Sequence, residues 1–276
     1  MSRINKTAPL ILLAAAFVLG SSHDETQGLK YTVVADSLGN PGAGVRLEWV
    51  EPSYNEGGLF SCSSRKRYPD YYVIYADGQK IGTTANTFYC VFDPCRAIEV
   101  SAVWDGEEDY PEMIDLSPTA PGFVDVWEVN GDRESGISFS PFYEYIYTCW
   151  MNDVDNQELI DCYFTDYHIG FGQVPYYLAS PGEVSNDSGA TFLPDTGWRV
   201  TGVSDTLGAD LEAIQIAPAT GYEAARPVIV GEVYAIRTQD DCYGLIRVDA
   251  INNANGEVYL TVMLQPALGL RWMVTK

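Results

Sequence analysis

Residues 71–84 read YYVIYADGQKIGTT, an apolar and aromatic run followed by Asp77-Gly78 and a more polar run. Asp-Gly is typical of two-residue hairpin turns, whose residues adopt positive φ angles. Successive side chains of a strand point to opposite faces, so Tyr72 and Ile74 share one face and the tyrosines on either side share the other. The stretch therefore predicts a β-hairpin in which at least one tyrosine is buried.

Alternating apolar and polar residues recur along the rest of the chain, whereas the three-and-four spacing of an amphipathic helix is nearly absent. The segments 45–52, VRLEWVEP, and 97–104, AIEVSAVW, show the alternation most clearly. Strands with one apolar face bury that face by packing as two sheets. The sequence therefore predicts an all-β chain made of two β-sandwich domains in tandem.

A linker at 116–122, LSPTAPG, separates the periodic segments and sets the expected domain boundary. We expect a first β-sandwich over 28–118 and a C-terminal antiparallel β domain over 122–276. The strands near the end of the chain, within 231–251 and 256–266, predict an antiparallel meander. Such a sheet packs one face on the core and leaves the other face in water.

The segments VRLEW, YYVIYADGQKIG and AIEVSAVWDGEE, in this order, resemble strands of the fibronectin type III domain over roughly residues 28–118. The resemblance implies a β-sandwich, and such modules commonly act as spacers in exported proteins. One departure is Arg96, which stands where that family usually begins a strand with Tyr. A Cys90–Cys95 bridge is the alternative expected to hold this corner.

The segments YAIRTQDDCYGLIRVDAI and VYLTVMLQP, about 35 residues, resemble the closing strands of HmuY-like secreted haem-binding proteins. That family holds haem between His or Met side chains. After the N-terminal apolar segment this chain has only His23 and His168, so no ligand pair carries over. The resemblance therefore implies topology and not haem binding.

The N-terminus predicts a secretory signal peptide over residues 1–22. Arg3 and Lys6 precede an apolar run of about a dozen residues, and small residues suited to cleavage follow it. The run is shorter than the roughly 20 residues that span a bilayer, and no lipoprotein cysteine follows it. We therefore expect a secreted or cell-surface protein, with retention of the segment as an anchor as the alternative.

The formal net charge is −22 and becomes about −24 without residues 1–22, which carry two basic and no acidic side chains. Such a surface repels phosphate backbones and anionic headgroups. Nucleic acid and membrane surfaces are therefore not expected partners.

Six cysteines in an exported chain favour disulfides over a zinc site, because no CxxC pair is present. Spacing alone does not determine the pairing. The short intervening loops favour Cys90 with Cys95 and Cys149 with Cys162. Cys62 and Cys242 would then be free or joined across the domains.

No nucleophile elbow, HExxH helix or phosphate-binding loop is present, so we expect no enzymatic activity and no cofactor. His168 has no partner nucleophile in sequence and is interpreted as structural, with metal ligation as an alternative. The acidic run 152–158 is interpreted as a hairpin tip, with calcium binding as the alternative.

Aromatic density is the strongest indication of function. Tyr143, Tyr145 and Tyr147 would share one face of a strand, and Tyr167 with His168 follows soon after. Exposed tyrosines suit stacking on carbohydrate or contact with protein, although cross-strand packing is the alternative. Trp272, near the end of the chain, is expected to help dock a final strand on a neighbouring subunit.

These features predict an exported binding or structural protein that acts in adhesion, surface display or assembly with other extracellular chains or with itself. The alternative is a module for carbohydrate or another small ligand that uses the loops of 180–227. Haem and calcium are included in that alternative.

Overall fold

The computed structural model describes residues 27–56, 65–131, 133–140, 145–151, 153–166, 175–184 and 197–275. The strands, in chain order, are β1 (Gln27–Val34), β2 (Gly44–Val50), β3 (Tyr54–Glu56), β4 (Arg65–Arg67), β5 (Tyr71–Ala76), β6 (Gln79–Thr84), β7 (Phe88–Val91), β8 (Ala97–Trp104), β9 (Glu107–Glu108), β10 (Glu112–Asp115), β11 (Gly122–Trp127), β12 (Gly136–Ser140), β13 (Tyr145–Cys149), β14 (Cys162–Thr165), β15 (Tyr177–Ala179), β16 (Gly202–Thr206), β17 (Ala225–Pro227), β18 (Val233–Arg237), β19 (Tyr243–Asn252) and β20 (Glu257–Gln265). Helices in this part of the chain are single turns: α1 (Pro181–Val184) and two 3₁₀ turns at Val154–Asn156 and Leu211–Ala213. The prediction of an all-β chain of sandwich type is confirmed.

The first sandwich packs the sheet β1-β2-β7 against the sheet β10-β8-β5-β6, with the short β9 paired to β8. Strand β2 buries Val45, Leu47 and Trp49 and exposes the charged residues between them, as the alternation predicts. The Trp49 ring lies 5.0 Å from the buried ring of Tyr72, in an edge-to-face contact. A short hairpin, β3 with β4, lies outside these two sheets.

The opening stretch forms the expected hairpin. Asp77 and Gly78 connect β5 to β6 and have φ angles of 48° and 73°. Tyr72 is buried, whereas Tyr71 is exposed. Tyr72 therefore packs in the core of the sheet, and Tyr71 lies at the surface.

The second sandwich packs the sheet β11-β20-β19-β18-β16 against the sheet β13-β12-β14-β15-β17. The meander β18-β19-β20 is antiparallel, as predicted. The core between the sheets is apolar from both sides, and Phe139 of β12 packs directly over Gly244 of β19. A Cβ atom at Gly244 would lie only 2.5 Å from the Phe139 ring, so this close approach requires glycine.

A C-terminal segment, residues 266–275, lies between the two sandwiches. Its side chains Ala267, Leu270 and Trp272 belong to the core of the first sandwich. Met273 instead packs with Leu211 and neighbouring residues on the outside of the second sandwich. The segment therefore contributes to the apolar packing of both halves of the chain.

Hydrogen bonds hold the C-terminal segment on both sides. Trp272 Nε1 donates to the Ala43 carbonyl at 3.1 Å, and Arg271 Nε donates to the Pro41 carbonyl at 2.6 Å. On the other side, the Arg271 guanidinium donates to the Ala217 carbonyl, and the Ala217 amide donates back to the Arg271 carbonyl at 2.8 Å. Arg271 thus bridges backbone from both sandwiches.

This packing corrects the expectation for Trp272. Its side chain is 0 % exposed, so it is a core residue and not part of a recognition surface or a docking strand. Leu270, Met273 and Val274 of the same run are also buried within the chain, whereas Leu268 is exposed. The Trp272 side chain therefore has no exposed surface with which to contact a neighbouring subunit.

The predicted disulfides are wrong: Cys90, Cys95, Cys149 and Cys162 are all free thiols. Cys149 pairs with Gly136 on one side of β12, and Cys162 pairs with Ile137 on its other side. Two strand spacings, about 10 Å, therefore separate them, beyond the roughly 7 Å that a disulfide tolerates between Cα atoms.

The other predicted pair fails because its members face different environments. Cys90 is exposed on β7, whereas Cys95 is buried in the core of the first sandwich. Cys242 is also buried and free, and Cys62 lies outside the described residues.

The predicted signal peptide also lies outside the described residues. Within the part of the chain that the structure covers, no helix is long and apolar enough to cross a membrane.

The packing of Trp272 predicts a large loss of stability on truncation. We expect Trp272→Ala to lower the free energy of unfolding by about 3–5 kcal/mol, because it removes a fully buried indole and leaves a cavity. Urea denaturation measures the change. Leu268→Ala, at an exposed position of the same segment, is the control and should change stability by no more than about 0.5 kcal/mol. Equal effects of the two substitutions would contradict the structural role of Trp272.

Candidate functional site

The predicted tyrosine surface is present only in part. On β13, Ile146 packs toward the core of the second sandwich, and Tyr145 and Tyr147 project from the opposite face. Their ring centroids are 5.3 Å apart. Tyr147 also packs on a small cluster that includes Val129 and Cys149, whereas Tyr145 is 49 % exposed. Tyr145 thus presents about half of its surface to solvent, whereas Tyr147 is partly committed to packing.

The remaining residues of the predicted surface do not join Tyr145. Trp272 is buried against the first sandwich. Tyr143, Tyr167 and His168 lie outside the described residues. The sequence-based set therefore does not define one continuous site in the described structure.

A different aromatic surface lies on the outer side of the second sandwich. Strand β11 directs Val124 and Val126 toward the core and Phe123, Asp125 and Trp127 away from it. Beside it, β20 directs Tyr259 and Thr261 to the same outer side, and β19 contributes Arg247 and Asp249 there. We call this set the outer aromatic face: Phe123, Asp125, Trp127, Arg247, Asp249, Tyr259 and Thr261.

Strand register fixes the spacing of the aromatic residues on this face. Phe123 pairs with Thr261, and Asp125 pairs with Tyr259, so Phe123 and Tyr259 are diagonal neighbours. Diagonal pairs lie about 7–8 Å apart, within reach of aromatic side chains. Phe123 and Trp127 are four residues apart on one strand, about 13 Å. The three rings therefore lie along an extended platform.

Exposure differs along the platform. Phe123 is 82 % exposed and Tyr259 is 39 % exposed, so two neighbouring aromatic side chains lie at the surface of this sheet face. Trp127 is partly buried, and the Arg133 guanidinium lies 5.9 Å from its ring centroid. Phe123 and Tyr259 are thus the accessible part of the platform.

A bulge in β19 places the polar part of the face. Val248 and Ile251 both face the core although they are three residues apart, because the register shifts between Val248 and Ala250. Bulges redirect side chains and recur beside functional sites. Here the extra residue allows Asp249 to project outward beside Arg247.

Three side chains form a closed hydrogen-bond network at this bulge. Arg247 Nε donates to Asp249 Oδ1 at 2.7 Å, and Arg247 Nη2 donates to Thr261 Oγ1 at 3.2 Å. The Thr261 hydroxyl donates to Asp249 Oδ2 at 2.6 Å. Each partner fixes the orientation of the other two, while the side chains of Arg247 and Asp249 stay 34 % and 27 % exposed. The network is therefore ordered before any ligand arrives.

Charges around the platform are mixed. The Tyr259 hydroxyl donates a hydrogen bond to the Glu257 carboxylate, which raises the pKa of Tyr259. The nearby Asp125 carboxylate raises this pKa further. Carboxylates of Asp125, Asp249 and Glu257 thus lie among the aromatic rings, together with the guanidinium of Arg247. The face has hydrogen-bond acceptors and donors at fixed positions.

Two buried carboxylates lie elsewhere in the second sandwich. Asp161 accepts hydrogen bonds from the Phe139 amide at 2.8 Å and from Arg199 Nε at 2.7 Å. Burial raises the pKa of Asp161 to about 6, and the charge of Arg199 opposes that rise. Both oxygen atoms of this carboxylate have protein partners, which indicates a structural role.

Glu128 is the second buried carboxylate and is 0 % exposed. Burial raises its pKa to about 7, the nearby Asp166 carboxylate adds to the rise, and hydrogen bonds from Asn130 oppose it. The Asn130 amide donates to Oε2 at 2.7 Å and its side-chain nitrogen donates to Oε1 at 3.0 Å. Perturbed acids often mark active sites, but this carboxylate is closed off by its own turn.

The acidic run interpreted as a hairpin tip forms a turn in its described part. Residues Val154–Asn156 are a 3₁₀ turn, and the Asp155 amide donates to Asp153 Oδ1 at 3.1 Å. Among the residues that the structure describes, no three His, Cys, Asp or Glu side chains cluster closely enough to hold a metal ion.

Sequence reasoning missed the outer aromatic face, although its signals are present. The segment GFVDVWEV alternates Phe123, Asp125 and Trp127 with valines, and the meander was expected to have one wet face. What was lacking is the register that pairs β11 with β20. That pairing joins residues about 130–140 positions apart and has no local signature.

Comparisons with known proteins add little. No protein-family model matches the chain, and no curated protein matches it. A crystal structure of a DUF4466 family protein from Parabacteroides merdae is similar over 87 % of this chain and 99 % of that chain, with 12 % identity and a TM-score of 0.38. A TM-score this low supports no inference, so the interpretation depends on the geometry of the chain itself.

The buried Glu128 predicts a distinctive pH dependence. Because its folded pKa is above the value of 4.5 expected when unfolded, the folded state holds the proton more tightly between about pH 4.5 and pH 7. The contribution of Glu128 to stability is therefore fully present below this window and is lost as the pH rises through it. Between pH 5 and pH 8, the free energy of unfolding should fall less in the Glu128→Gln variant than in the wild type. Urea denaturation at each pH measures this difference. Glu107→Gln, at an exposed position, is the control. Identical pH profiles for wild type and Glu128→Gln would refute the assignment.

Proposed function

We propose that this chain is an exported binding protein whose recognition surface is the outer aromatic face of the second sandwich. The single observation that carries the proposal is the combination of exposed Phe123 and Tyr259 with the ordered Arg247–Asp249–Thr261 network on one sheet face. Exposed aromatic groups provide apolar contact area, and a prearranged polar network lowers the entropy cost of binding.

The proposed location is extracellular or at the cell surface, on the basis of the signal-like residues 1–22. The strongly acidic composition supports solubility outside the cell. Adhesion or surface display are the roles that a recognition face on such a protein would serve. Trp272 plays no part in this proposal, because its side chain is buried.

We further propose that the first sandwich is a fibronectin type III-like spacer. Its three-stranded sheet β1-β2-β7 and four-stranded path β10-β8-β5-β6 support this proposal, since both occur in seven-stranded sandwiches of the immunoglobulin type. The corner at Arg96 is held by Asp77, whose Oδ1 accepts from the Arg96 and Ala97 amides at 3.0 Å each. The antiparallel meander is also compatible with an HmuY-like topology, without haem.

The proposal predicts that binding depends on two aromatic side chains. We expect the double variant Phe123→Ala/Tyr259→Ala to lose at least about tenfold in affinity, because exposed aromatic anchors commonly contribute about 2 kcal/mol or more to an interface. Labelled protein without residues 1–22 is applied to an array of extracellular matrix proteins and polysaccharides.

The matched control is Tyr110→Ala. Tyr110 is 81 % exposed on the first sandwich and should leave every array signal unchanged. Array signals that persist in the double variant, or that disappear with Tyr110→Ala, would place recognition elsewhere on the molecule. Urea denaturation of each variant shows that any loss of binding does not reflect unfolding.

A further inference from the structure

We infer that the ligand of the outer aromatic face is a neutral, extended polysaccharide chain that lies along strands β11 and β20. This inference deepens the proposed function and depends on it, because it assigns a chemical class to the ligand of the same surface. It follows from the length of the platform, from the signs of the charges around it, and from the hydrogen-bonding capacity of the ordered network.

Length is the first argument. The accessible rings of Phe123 and Tyr259 are diagonal neighbours about 7–8 Å apart, and the partly buried Trp127 extends the strip to about 13 Å along β11. The backbone of both strands is extended there, so the platform is a flat strip and not a closed cavity. A single sugar ring would contact only one end of the strip, whereas a linear chain of sugar rings can stack on successive aromatic side chains.

Charge is the second argument. Three carboxylates, those of Asp125, Asp249 and Glu257, surround the aromatic rings, and the whole chain has a net charge of −22. An anionic polysaccharide would therefore be repelled. The guanidinium of Arg247 is paired with Asp249 and that of Arg133 lies over Trp127, so two positive charges offset most of the three negative ones on the face itself.

Hydrogen bonding is the third argument. A sugar hydroxyl both donates and accepts, which matches a face that presents carboxylate acceptors and guanidinium donors side by side. Arg247 has five N–H donors and uses two of its nitrogen atoms within the network, and Asp249 remains about a quarter exposed. Hydroxyls of a neutral chain can therefore add to the network without breaking it. Neither a purely anionic nor a purely cationic partner uses both kinds of group.

Affinity electrophoresis tests the charge requirement. The protein without residues 1–22 migrates through native gels that contain amylose, xylan, galactomannan or hydroxyethylcellulose, and through gels that contain polygalacturonate or alginate. We expect at least one neutral polysaccharide to retard the protein and neither anionic one to do so. Phe123→Ala should reduce the retardation at least about tenfold in apparent affinity, and Tyr110→Ala should not.

Calorimetry with oligosaccharides of the retarding polymer tests the length requirement. The dissociation constant should fall by at least about tenfold from the disaccharide to the hexasaccharide, and Thr261→Val should weaken hexasaccharide binding by opening the network. Retardation by polygalacturonate or alginate, equal affinity for short and long oligosaccharides, or no retardation by any neutral polymer would each overturn the inference.

The two proposals fail in different ways. Loss of a protein or anionic-polysaccharide signal on the array in Phe123→Ala/Tyr259→Ala would support the recognition face while overturning the neutral polysaccharide. Retardation by a neutral polymer that the same double variant retains would overturn the face itself.

Discussion

The insertion of the C-terminal segment between the two sandwiches is the contact on which the rest of the structure depends. Trp272, with Ala267 and Leu270, completes an apolar core whose other buried members come from residues 45–116, and Arg271 joins backbone carbonyls of both halves. Gly42 shows how close this contact is: its φ angle is +68°, and a Cβ atom there would lie 2.1 Å from the Gly269 carbonyl oxygen. Apolar burial and hydrogen bonding thus act at the same junction.

This junction also determines which surfaces remain available. The C-terminal segment and the turn at Leu211–Ala213 cover one end of the outer side of the β11-β20-β19-β18-β16 sheet, where Leu245 and Met263 are buried. The other end of the same sheet stays uncovered and has Phe123 and Tyr259 at its surface. A single sheet face therefore divides into a structural half and a half that is free to bind.

Local rules predicted the local structure. The Asp77-Gly78 turn, the alternation in β2 and the antiparallel meander all follow from side-chain period and turn chemistry, and all are present. Long-range features did not follow from these rules. The disulfide pairs failed because a strand, β12, lies between Cys149 and Cys162, and sequence spacing carries no information about strand order. The outer aromatic face was missed because it requires a register and a bulge, and Trp272 was placed wrongly because an apolar run does not reveal what it packs against.

The separation of Trp272 from its partners has a consequence for biogenesis. Its indole bonds to Ala43, 229 positions earlier in the chain. A nascent chain that emerges N-terminus first cannot complete the core of the first sandwich until residue 272 has been made, because the indole that fills this core is among the last side chains to be added. Until then, the apolar surface that Trp272 covers in the finished fold stays exposed on the incomplete first sandwich.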